Sequence, residues 1–352
     1  MFEKSSWIRL PRNVVIGHDA LSSTIEAVSE LRLGGQPLLV TSPTPKEVAG
    51  DRVESAFAEN GADPETIVIE EATFESVERV VEAGREVNAG YLVGIGGGKA
   101  IDIAKTASAT LGRGFVSVPT AASHDGIVSA RASVPEGDTR HSVAAEPPLA
   151  VVADTGVLAK APWQLTTAGC ADIISNYTAV KDWQLAHRLK NAEYSEYAGA
   201  LSRITAEMLV DRADSIKRGL EESAWIVTKA LVSSGVAMSI AGSSRPASGA
   251  EHLFSHQLDR IAPGKALHGH QVGVGTVMIE YLHSGEAGGY RDVREALSGI
   301  GAPVTAEELG VTEEEVLKAL TSAHEIRDRY TILGDGVSEA AAREVASVTG
   351  VL

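Results

Sequence analysis

The sequence predicts two domains: an α/β domain with a mostly parallel, Rossmann-like sheet at residues 1–155, and an all-helical domain at residues 156–352. Two observations support this prediction. Short apolar runs alternate with helix-like stretches as far as Asp154, which is typical of a parallel, doubly wound sheet. From Leu165 onward, amphipathic helical patterns follow one another with almost no strand-like runs. A cleft between two such domains is a usual place for an active site, so we expect the site there.

The elements of the first domain follow from the spacing of its apolar runs. The predicted strands are Asn13–Ile16, Pro37–Thr41, Thr66–Glu70, Tyr91–Ile95, Phe115–Val118 and Leu149–Ala153. The predicted helices are Ala20–Leu31, Pro45–Glu59, Val77–Val87 and Lys99–Thr110. Parallel sheets bind ligands at the carboxyl ends of their strands, so the loops that follow these strands are the first candidates for a binding site.

Composition and charge narrow the class of protein. The chain has 352 residues, of which 44% are hydrophobic and 22% charged, as expected for a globular protein with a large core. Its net charge of −16 is spread along the sequence, which argues against nucleic acid as a partner. Only 11 of the 31 basic residues are lysine, and an acidic, lysine-poor surface is typical of a salt-adapted, halophilic protein.

The sequence shows no sign of secretion or of a membrane span. Its first residues, MFEKSSWIRL, contain no apolar signal core, and no stretch offers about 18 uncharged apolar residues. The single cysteine, Cys170, excludes an internal disulfide framework and suits a reducing compartment. We therefore expect a cytoplasmic protein.

The clearest local signal is the sequence YLVGIGGGKAID at residues 91–102. An apolar strand leads into Gly94 and the glycines at 96–98, and a helix begins near Lys99. Glycines allow the backbone to approach a pyrophosphate, which the free N–H groups of the helix start can bind. A tight turn without a ligand is the alternative, but this density of glycine at the end of a strand favours phosphate binding. Asp102 is expected either to cap the helix or to contact the cofactor.

A second loop, PTAASHDGIVS at residues 119–129, follows the next strand. Its hydroxyl groups and Asp125 suit hydrogen bonding to a cofactor or substrate, although an ordinary capped turn has a similar composition. Its position one strand after the glycine loop favours the functional interpretation. The second strand ends in Thr41, Ser42 and Pro43, without the acid that holds the ribose hydroxyl in NAD-specific sites. We therefore expect a cofactor 2′-phosphate to be accepted.

Histidines cluster in the second domain. His252, His256, His268 and His270 are four of the ten histidines and lie within 19 residues. His252 and His256 are four residues apart, so they project from one face of a helix. Imidazoles together with one carboxylate fit Zn²⁺ with an open coordination position, whereas single structural histidines are usually isolated. Spacing alone does not decide which of these residues are ligands, and Cys170 is more simply a small core residue.

Together these motifs resemble the iron-containing alcohol dehydrogenase and glycerol dehydrogenase superfamily, which includes dehydroquinate synthase. The resemblance covers essentially the whole chain. Within the superfamily the chain is most similar to the sn-glycerol-1-phosphate dehydrogenase family, through the loop at 119–129 and through Asp172 followed by Asn176. Iron-type alcohol dehydrogenases carry a fourth ligand, histidine, at the position of Asn176. The resemblance implies an oxidoreductase that serves archaeal membrane phospholipid biosynthesis.

The resemblance also implies roles for particular residues. It makes Asp172, His252 and His268 the ligands of one Zn²⁺ per subunit. It makes Asp125, Asp172 and His256 substrate-binding residues, with Asp172 and His256 catalytic. It assigns the cofactor NAD(P)H to Gly96, Gly97, Gly98, Lys99, Ala100, Ile101, Asp102, Thr120, Ala121, Ala122, Ser123 and Ser129. His270 is expected to lie outside the metal shell.

The implied reaction is the reduction of dihydroxyacetone phosphate to sn-glycerol 1-phosphate by NAD(P)H. Zinc would polarise the carbonyl, and His256, or a metal-bound water relayed through it, would supply the proton. The substrate phosphate needs cationic or N–H partners, and Arg131, Lys160 and Lys265 are candidates that the sequence does not distinguish. The expected partners are thus small molecules, with no nucleic acid and no membrane span, and a homo-oligomer remains open.

Three alternatives follow from the same motifs. A glycerol dehydrogenase would have similar ligands and an unphosphorylated substrate. A dehydroquinate-synthase-like lyase would place several more Lys and Arg residues around a larger substrate than this lysine-poor chain offers. A non-enzymatic nucleotide- or metal-binding regulator has no need of a glycine loop combined with an Asp/His/His set.

Overall fold

The computed structural model describes residues 7–136 and 139–352. Its strands are β1 Asn13–Gly17, β2 Pro37–Thr41, β3 Glu65–Val68, β4 Tyr91–Gly96, β5 Gly114–Pro119, β6 Arg131–Glu136, β7 Thr139–Ala144 and β8 Ala150–Asp154. Six of them form a wholly parallel sheet in the order β1-β8-β5-β4-β2-β3, and each overlaps a predicted strand. The antiparallel hairpin of β6 and β7 was not predicted.

Helices make up the rest of the fold. They are α1 Thr24–Glu30, α2 Pro43–Pro45, α3 Asp51–Glu59, α4 Phe74–Glu86, α5 Gly98–Leu111, α6 Thr155–Leu158, α7 Trp163–Ile174, α8 Asn176–Lys190, α9 Glu196–Asp211, α10 Glu221–Ala241, α11 Ala250–Ile261, α12 His268–Ser284, α13 Tyr290–Gly299, α14 Ala306–Leu309, α15 Glu313–Ser322 and α16 Glu339–Val348. Within the described ranges, every regular element after β8 is helical. The expected class, an α/β sheet followed by a helical region, is confirmed.

The central strands are covered by helices on both faces. β2, β4 and β8 are mostly apolar and every residue in them is buried, as a parallel sheet between two helical layers requires. Because side chains alternate along a strand, Leu38 and Val40 pack into one hydrophobic core, whereas Leu39 packs into the other. The first core contains residues of α4 and α5, and the second contains residues of α1 and α3.

The order of the strands brings the two predicted ligand loops together. β3 lies on one side of β2 and β4 on the other, so the chain reverses its direction across the sheet between β2 and β4, where open α/β sheets bind their ligands. Gly96 at the end of β4 pairs with Pro119 at the end of β5. The glycine loop and the loop at 119–129 therefore leave the sheet side by side.

A fully buried lysine attaches the second loop to α5. The ammonium of Lys105 donates hydrogen bonds to the carbonyls of Gly126 at 2.5 Å and Arg131 at 2.6 Å, and to the carboxylate of Asp102 at 3.2 Å. Asp102 in turn accepts a hydrogen bond from the N–H of Ser133 in β6 at 2.9 Å. Capping of α5 by Asp102 is therefore wrong, because the N-cap residue is Gly97 and the carboxylate instead joins α5 to the hairpin.

Helix α10 has the length and composition of a membrane-crossing segment, with a mean hydropathy of 1.5. Its apolar stretch is interrupted by Lys229, and 44% of it is buried within the protein. It packs against α7 and α9. Packing against these helices buries part of its apolar surface.

The first prediction concerns Lys105. We expect Lys105→Met to lower the free energy of unfolding by about 3–5 kcal/mol, because the substitution leaves a buried carboxylate and two buried carbonyls without their shared donor. The exposed Lys217 provides a matched control, and Lys217→Met should change stability by less than about 0.5 kcal/mol. Chemical denaturation of both variants measures the difference, and equal stability of the two would contradict the prediction.

Candidate active site

A cavity of about 530 Å³ lies between the carboxyl edge of the sheet and the helical region. The loops that follow β4 and β5 line one side of it, and residues of α7, α11 and α12 line the other. This volume is in the usual range for a site that holds a small molecule. The predicted ligand loops and three of the four clustered histidines, His252, His256 and His268, therefore face a single space.

Asp172, His252 and His268 converge in this cavity from α7, α11 and the start of α12. One ligand atom from each lies within 4.8 Å of the other two. Nε2 of His252 is 3.6 Å from Oδ1 of Asp172, and Nε2 of His268 is 4.0 Å from the same oxygen. One carboxylate and two imidazoles at these separations fit a divalent cation such as Zn²⁺ with a coordination position left open. We call these three residues the Asp/His/His group.

A second carboxylate, that of Glu251, is hydrogen-bonded to the ring nitrogen of His252 that faces away from Asp172. Oε1 of this buried residue lies 3.0 Å from Nδ1 of His252, and its two oxygens also accept hydrogen bonds from Gly249 N–H and the hydroxyl of Thr178. A carboxylate only accepts, so in the neutral imidazole Nδ1 carries the proton and Nε2 presents its lone pair to the Asp/His/His group.

Two carboxylates thus face one imidazole. Burial lowers the pKa of His252, but the hydrogen bonds and charges of Asp172 and Glu251 outweigh this effect and raise the pKa to about 9. The position between Asp172 and His252 therefore favours positive charge.

The orientation of His268 follows from a chain of three polar side chains. Nε2 of Gln271 donates to the carboxylate of Asp259 at 2.9 Å, which turns Oε1 of Gln271 toward Ser255. The hydroxyl of Ser255 donates to this oxygen at 2.7 Å and lies 2.9 Å from Nδ1 of His268. Since the hydroxyl proton is used, Nδ1 must donate to the Ser255 oxygen. Nε2 of His268, like that of His252, is then the unprotonated nitrogen.

His256 lies beside the Asp/His/His group and is not part of it. Its ring stacks on that of His268, with centroids 5.5 Å apart and planes 26° apart, and its centroid is 6.4 Å from that of His252. The side chain of His256 lines the cavity. The group thus consists of three side chains, with a further imidazole beside it.

Asp125 contacts the Asp/His/His group through its backbone. Its N–H donates to Oδ2 of Asp172 at 3.0 Å, while its own Oδ2 accepts from the hydroxyl of Ser234 at 2.8 Å. Nδ2 of Asn176 donates to that hydroxyl oxygen at 3.1 Å. Burial and then the charge of Asp172 raise the pKa of Asp125.

The pKa of Asp172 shifts downward, in the opposite direction to that of Asp125. Burial raises its pKa, but the hydrogen bond and charge of His252 and the charge of His268 outweigh burial and lower it. The two neighbouring carboxylates Asp125 and Asp172 therefore differ in how readily they hold a proton.

Two glycines allow the elements of the site to approach. A Cβ on Gly169 of α7 would lie 2.0 Å from the carbonyl oxygen of Ala122, and one on Gly269 of α12 would lie 2.1 Å from that of Ala168. Only glycine permits these backbone contacts. Because Gly169 is close to Asp172 and Gly269 follows His268, the contacts bring both ligands to the same side of the second loop.

The predicted cofactor residues divide into two sets. Those that line the cavity are Gly98, Lys99, Asp102, Ser123 and Ser129. Those in the same segments but outside the lining are Gly96, Gly97, Ala100, Ile101, Thr120, Ala121 and Ala122. The start of α5 has no side-chain cap, so its N–H groups are available to an anion.

The remaining sequence candidates are placed as follows. Arg131 lines the cavity, whereas Lys160 and Lys265 do not, and Lys265 is paired with Glu315 at 2.7 Å. His270 is hydrogen-bonded to Thr167 at 2.8 Å, away from the Asp/His/His group, and burial lowers its pKa to about 4. Burial also raises the pKa of Cys170 to about 12.

Sequence analysis missed several residues of the site. Arg327 lines the cavity, yet no local pattern distinguishes it from other surface arginines. His124 also lines the cavity, and its ring lies so close to Gly98 that a Cβ there would be 2.2 Å from Nε2. Ser234 is brought in by α10 from far along the chain. Only Glu251 had a sequence signal: it directly precedes His252, and a carboxylate in that position is a plausible hydrogen-bond partner of a ligand histidine.

The chain is similar to known proteins in sequence and in fold. The family described as iron-containing alcohol dehydrogenase matches residues 15–162. The chain is 73% identical over 352 residues to the glycerol-1-phosphate dehydrogenase (NAD(P)+) of Haloarcula marismortui, with 100% of both chains covered. It is 72% identical over 352 residues, again with 100% of both covered, to the protein of that name from Halobacterium salinarum. Among solved structures, glycerol dehydrogenase from Schizosaccharomyces pombe superposes with a TM-score of 0.81 at 20% identity, covering 99% of this chain and 92% of that one.

The second prediction concerns metal affinity. We expect His252→Ala to abolish tight zinc binding, and Glu251→Gln, which keeps the shape but removes the charge behind His252, to weaken it about 10- to 100-fold. Glu295→Gln, an exposed site on α13, is the control and should bind zinc like the parent protein. Titration against a competing chelator measures all three affinities. Undiminished zinc affinity in His252→Ala would exclude the Asp/His/His group as the metal site.

Proposed function

The chain belongs to the glycerol-1-phosphate dehydrogenase family of the iron-containing alcohol dehydrogenases, and on this premise we propose that it reduces dihydroxyacetone phosphate to sn-glycerol 1-phosphate with NAD(P)H. One observation carries the proposal: a single cavity is lined both by Gly98 and Lys99, where the glycine loop enters α5, and by the Asp/His/His group. Hydride transfer to a metal-polarised carbonyl needs the cofactor and the metal ion within reach of one substrate. A cavity lined by both elements would let the cofactor and the metal ion reach the same substrate.

The donor set supports Zn²⁺ as the metal. Two imidazoles and one carboxylate would hold the ion, and the open position would admit a substrate oxygen. Asn176, whose side-chain amide donates to Ser234, contributes no fourth imidazole. When bound, zinc stabilises negative charge on the substrate oxygen, and the nicotinamide of NAD(P)H supplies the hydride.

The protein's own side chains would orient the substrate and move the proton. Asp172 stays ionised because the neighbouring imidazoles lower its pKa. Asp125 is held in the wall of the cavity by its hydrogen bonds to Asp172 and Ser234, where it would bind a substrate hydroxyl. His256, adjacent to His268, would donate the proton that the reduced carbonyl oxygen needs.

The charge and composition of the chain support a salt-rich cytoplasm as the setting of this reaction. The net charge of −16 and the small number of lysines suit a concentrated salt solution, as do the named relatives from Haloarcula marismortui and Halobacterium salinarum. The buried, reduced Cys170 is consistent with the cytoplasm. In this setting the product would enter membrane phospholipid biosynthesis.

The third prediction concerns substrate and cofactor. We expect turnover of dihydroxyacetone phosphate to exceed that of dihydroxyacetone, with both NADH and NADPH accepted, because no acid at the end of β2 repels a 2′-phosphate. The measurement is the oxidation of each cofactor with each ketone, followed by chiral analysis of the product. Equal use of the two ketones would point to glycerol dehydrogenase activity. A preference for NADH above about a thousandfold, or about 4 kcal/mol, would reveal a discriminating group elsewhere.

The fourth prediction separates His256 from the metal ligands. We expect His256→Ala to retain zinc and NAD(P)H affinity while kcat falls about 100- to 10,000-fold, the usual contribution of a proton-transfer group. His187→Ala, at an exposed position on α8, is the control and should turn over normally. Unchanged kcat in His256→Ala would assign this residue a packing role, and loss of zinc comparable to that in His252→Ala would make it a ligand.

A further inference from the structure

The wall of the cavity contains two arginines. Arg131, the first residue of β6, and Arg327, which follows the turn Ala323–Ile326, both line the cavity with the Asp/His/His group. Among the side chains that the structure describes, neither guanidinium forms an ion pair with a carboxylate. Arginines that serve only the fold usually pair with acids, so this pair needs another explanation.

Hydrogen bonds hold the backbone at both arginines. The buried ammonium of Lys105 binds the carbonyl of Arg131 at 2.6 Å. Arg329 anchors the segment that carries Arg327, because its guanidinium donates to the hydroxyl of Ser244 at 2.8 Å and to the carbonyl of Ser248, and its N–H donates to the carbonyl of Arg327 at 2.8 Å. Positions fixed in this way are typical of a preorganised binding site.

The positive charges of Arg131 and Arg327 repel each other. Burial and then the charge of Arg131 lower the pKa of Arg327. Burial, followed by the charges of Arg327 and Arg245, lowers the pKa of Arg329 to about 9. Arg131, Arg327 and Arg329 therefore lie close enough for their charges to act on one another, in a chain whose net charge is −16.

We infer that Arg131 and Arg327 form the clamp that binds the phosphate of the substrate, and so select a phosphorylated ketone over its unphosphorylated analogue. Two planar guanidinium groups match the geometry and charge of a phosphate dianion. The cofactor has another place for its own phosphates: the pyrophosphate suits the start of α5, and a ribose 2′-phosphate suits the end of β2, whose Thr41 and Ser42 do not line this cavity.

The inference rests on the proposed function and is tested with the holoenzyme. In Arg131→Gln and Arg327→Gln, the ratio of kcat/KM for dihydroxyacetone phosphate to that for dihydroxyacetone should fall about 10- to 100-fold. Inhibition by inorganic phosphate should weaken by a similar factor. Lys160→Gln and Lys265→Gln are matched controls outside the cavity, and they should keep the parent ratio.

Each outcome distinguishes the clamp from its alternatives. An unchanged ratio in both glutamine variants overturns the clamp, and so does a loss confined to NADPH, which would assign the arginines to the cofactor's 2′-phosphate. Absence of any preference in the parent enzyme instead overturns the proposed function. If a glutamine variant fails to bind NADH and zinc, Arg131→Lys and Arg327→Lys replace it. These variants keep the charge but lose the bidentate geometry, so a smaller drop in the ratio is expected and an unchanged ratio contradicts the clamp.

Discussion

The site depends on the close packing of helix α7 against two other backbone segments at once. On one side Gly169 lies against the carbonyl of Ala122 in the second loop, and on the other the carbonyl of Ala168 lies against Gly269 of α12. No side chain fits at either glycine. The loop in turn is attached to the sheet region by the buried Lys105. The positions of the Asp/His/His group and of the second loop therefore depend on close backbone packing as much as on the polar groups themselves.

The fold was largely predictable because its strands are short apolar runs. β2 and β4 are buried on both faces, so each appears in the sequence as an uninterrupted apolar segment between turn residues. The hairpin of β6 and β7 lacks this signal, since β6 reads RASVPE and contains a proline, which weakens a strand prediction. Its position is determined by tertiary contacts such as the hydrogen bond between Asp102 and Ser133. The local pattern of apolar residues was therefore sufficient to predict the sheet but not the hairpin.

The site was predictable to the extent that its residues form local motifs. The glycine loop and the histidine cluster are contiguous in sequence, and Asp172 was added through the resemblance to a family, since spacing alone left the ligands undecided. Partners that arrive from distant elements gave no sequence signal. Ser234 reaches Asp125 from α10, and Arg327 reaches the cavity from a turn near the end of the chain. Such contacts depend on helix packing, which composition and periodicity do not encode residue by residue.

The Asp/His/His group draws its members from three separate helices, so it exists only when those helices are packed together. An ion bound there interacts with the native state and has no comparable site in the unfolded chain. Thermodynamic linkage would then make the free metal ion a determinant of stability: at a concentration about 1,000 times its Kd, binding would add about 4 kcal/mol to the stability of the native protein. The ion would act as a reversible cross-link between α7, α11 and α12. Metal supply would therefore govern the lifetime of the folded chain as well as its chemistry.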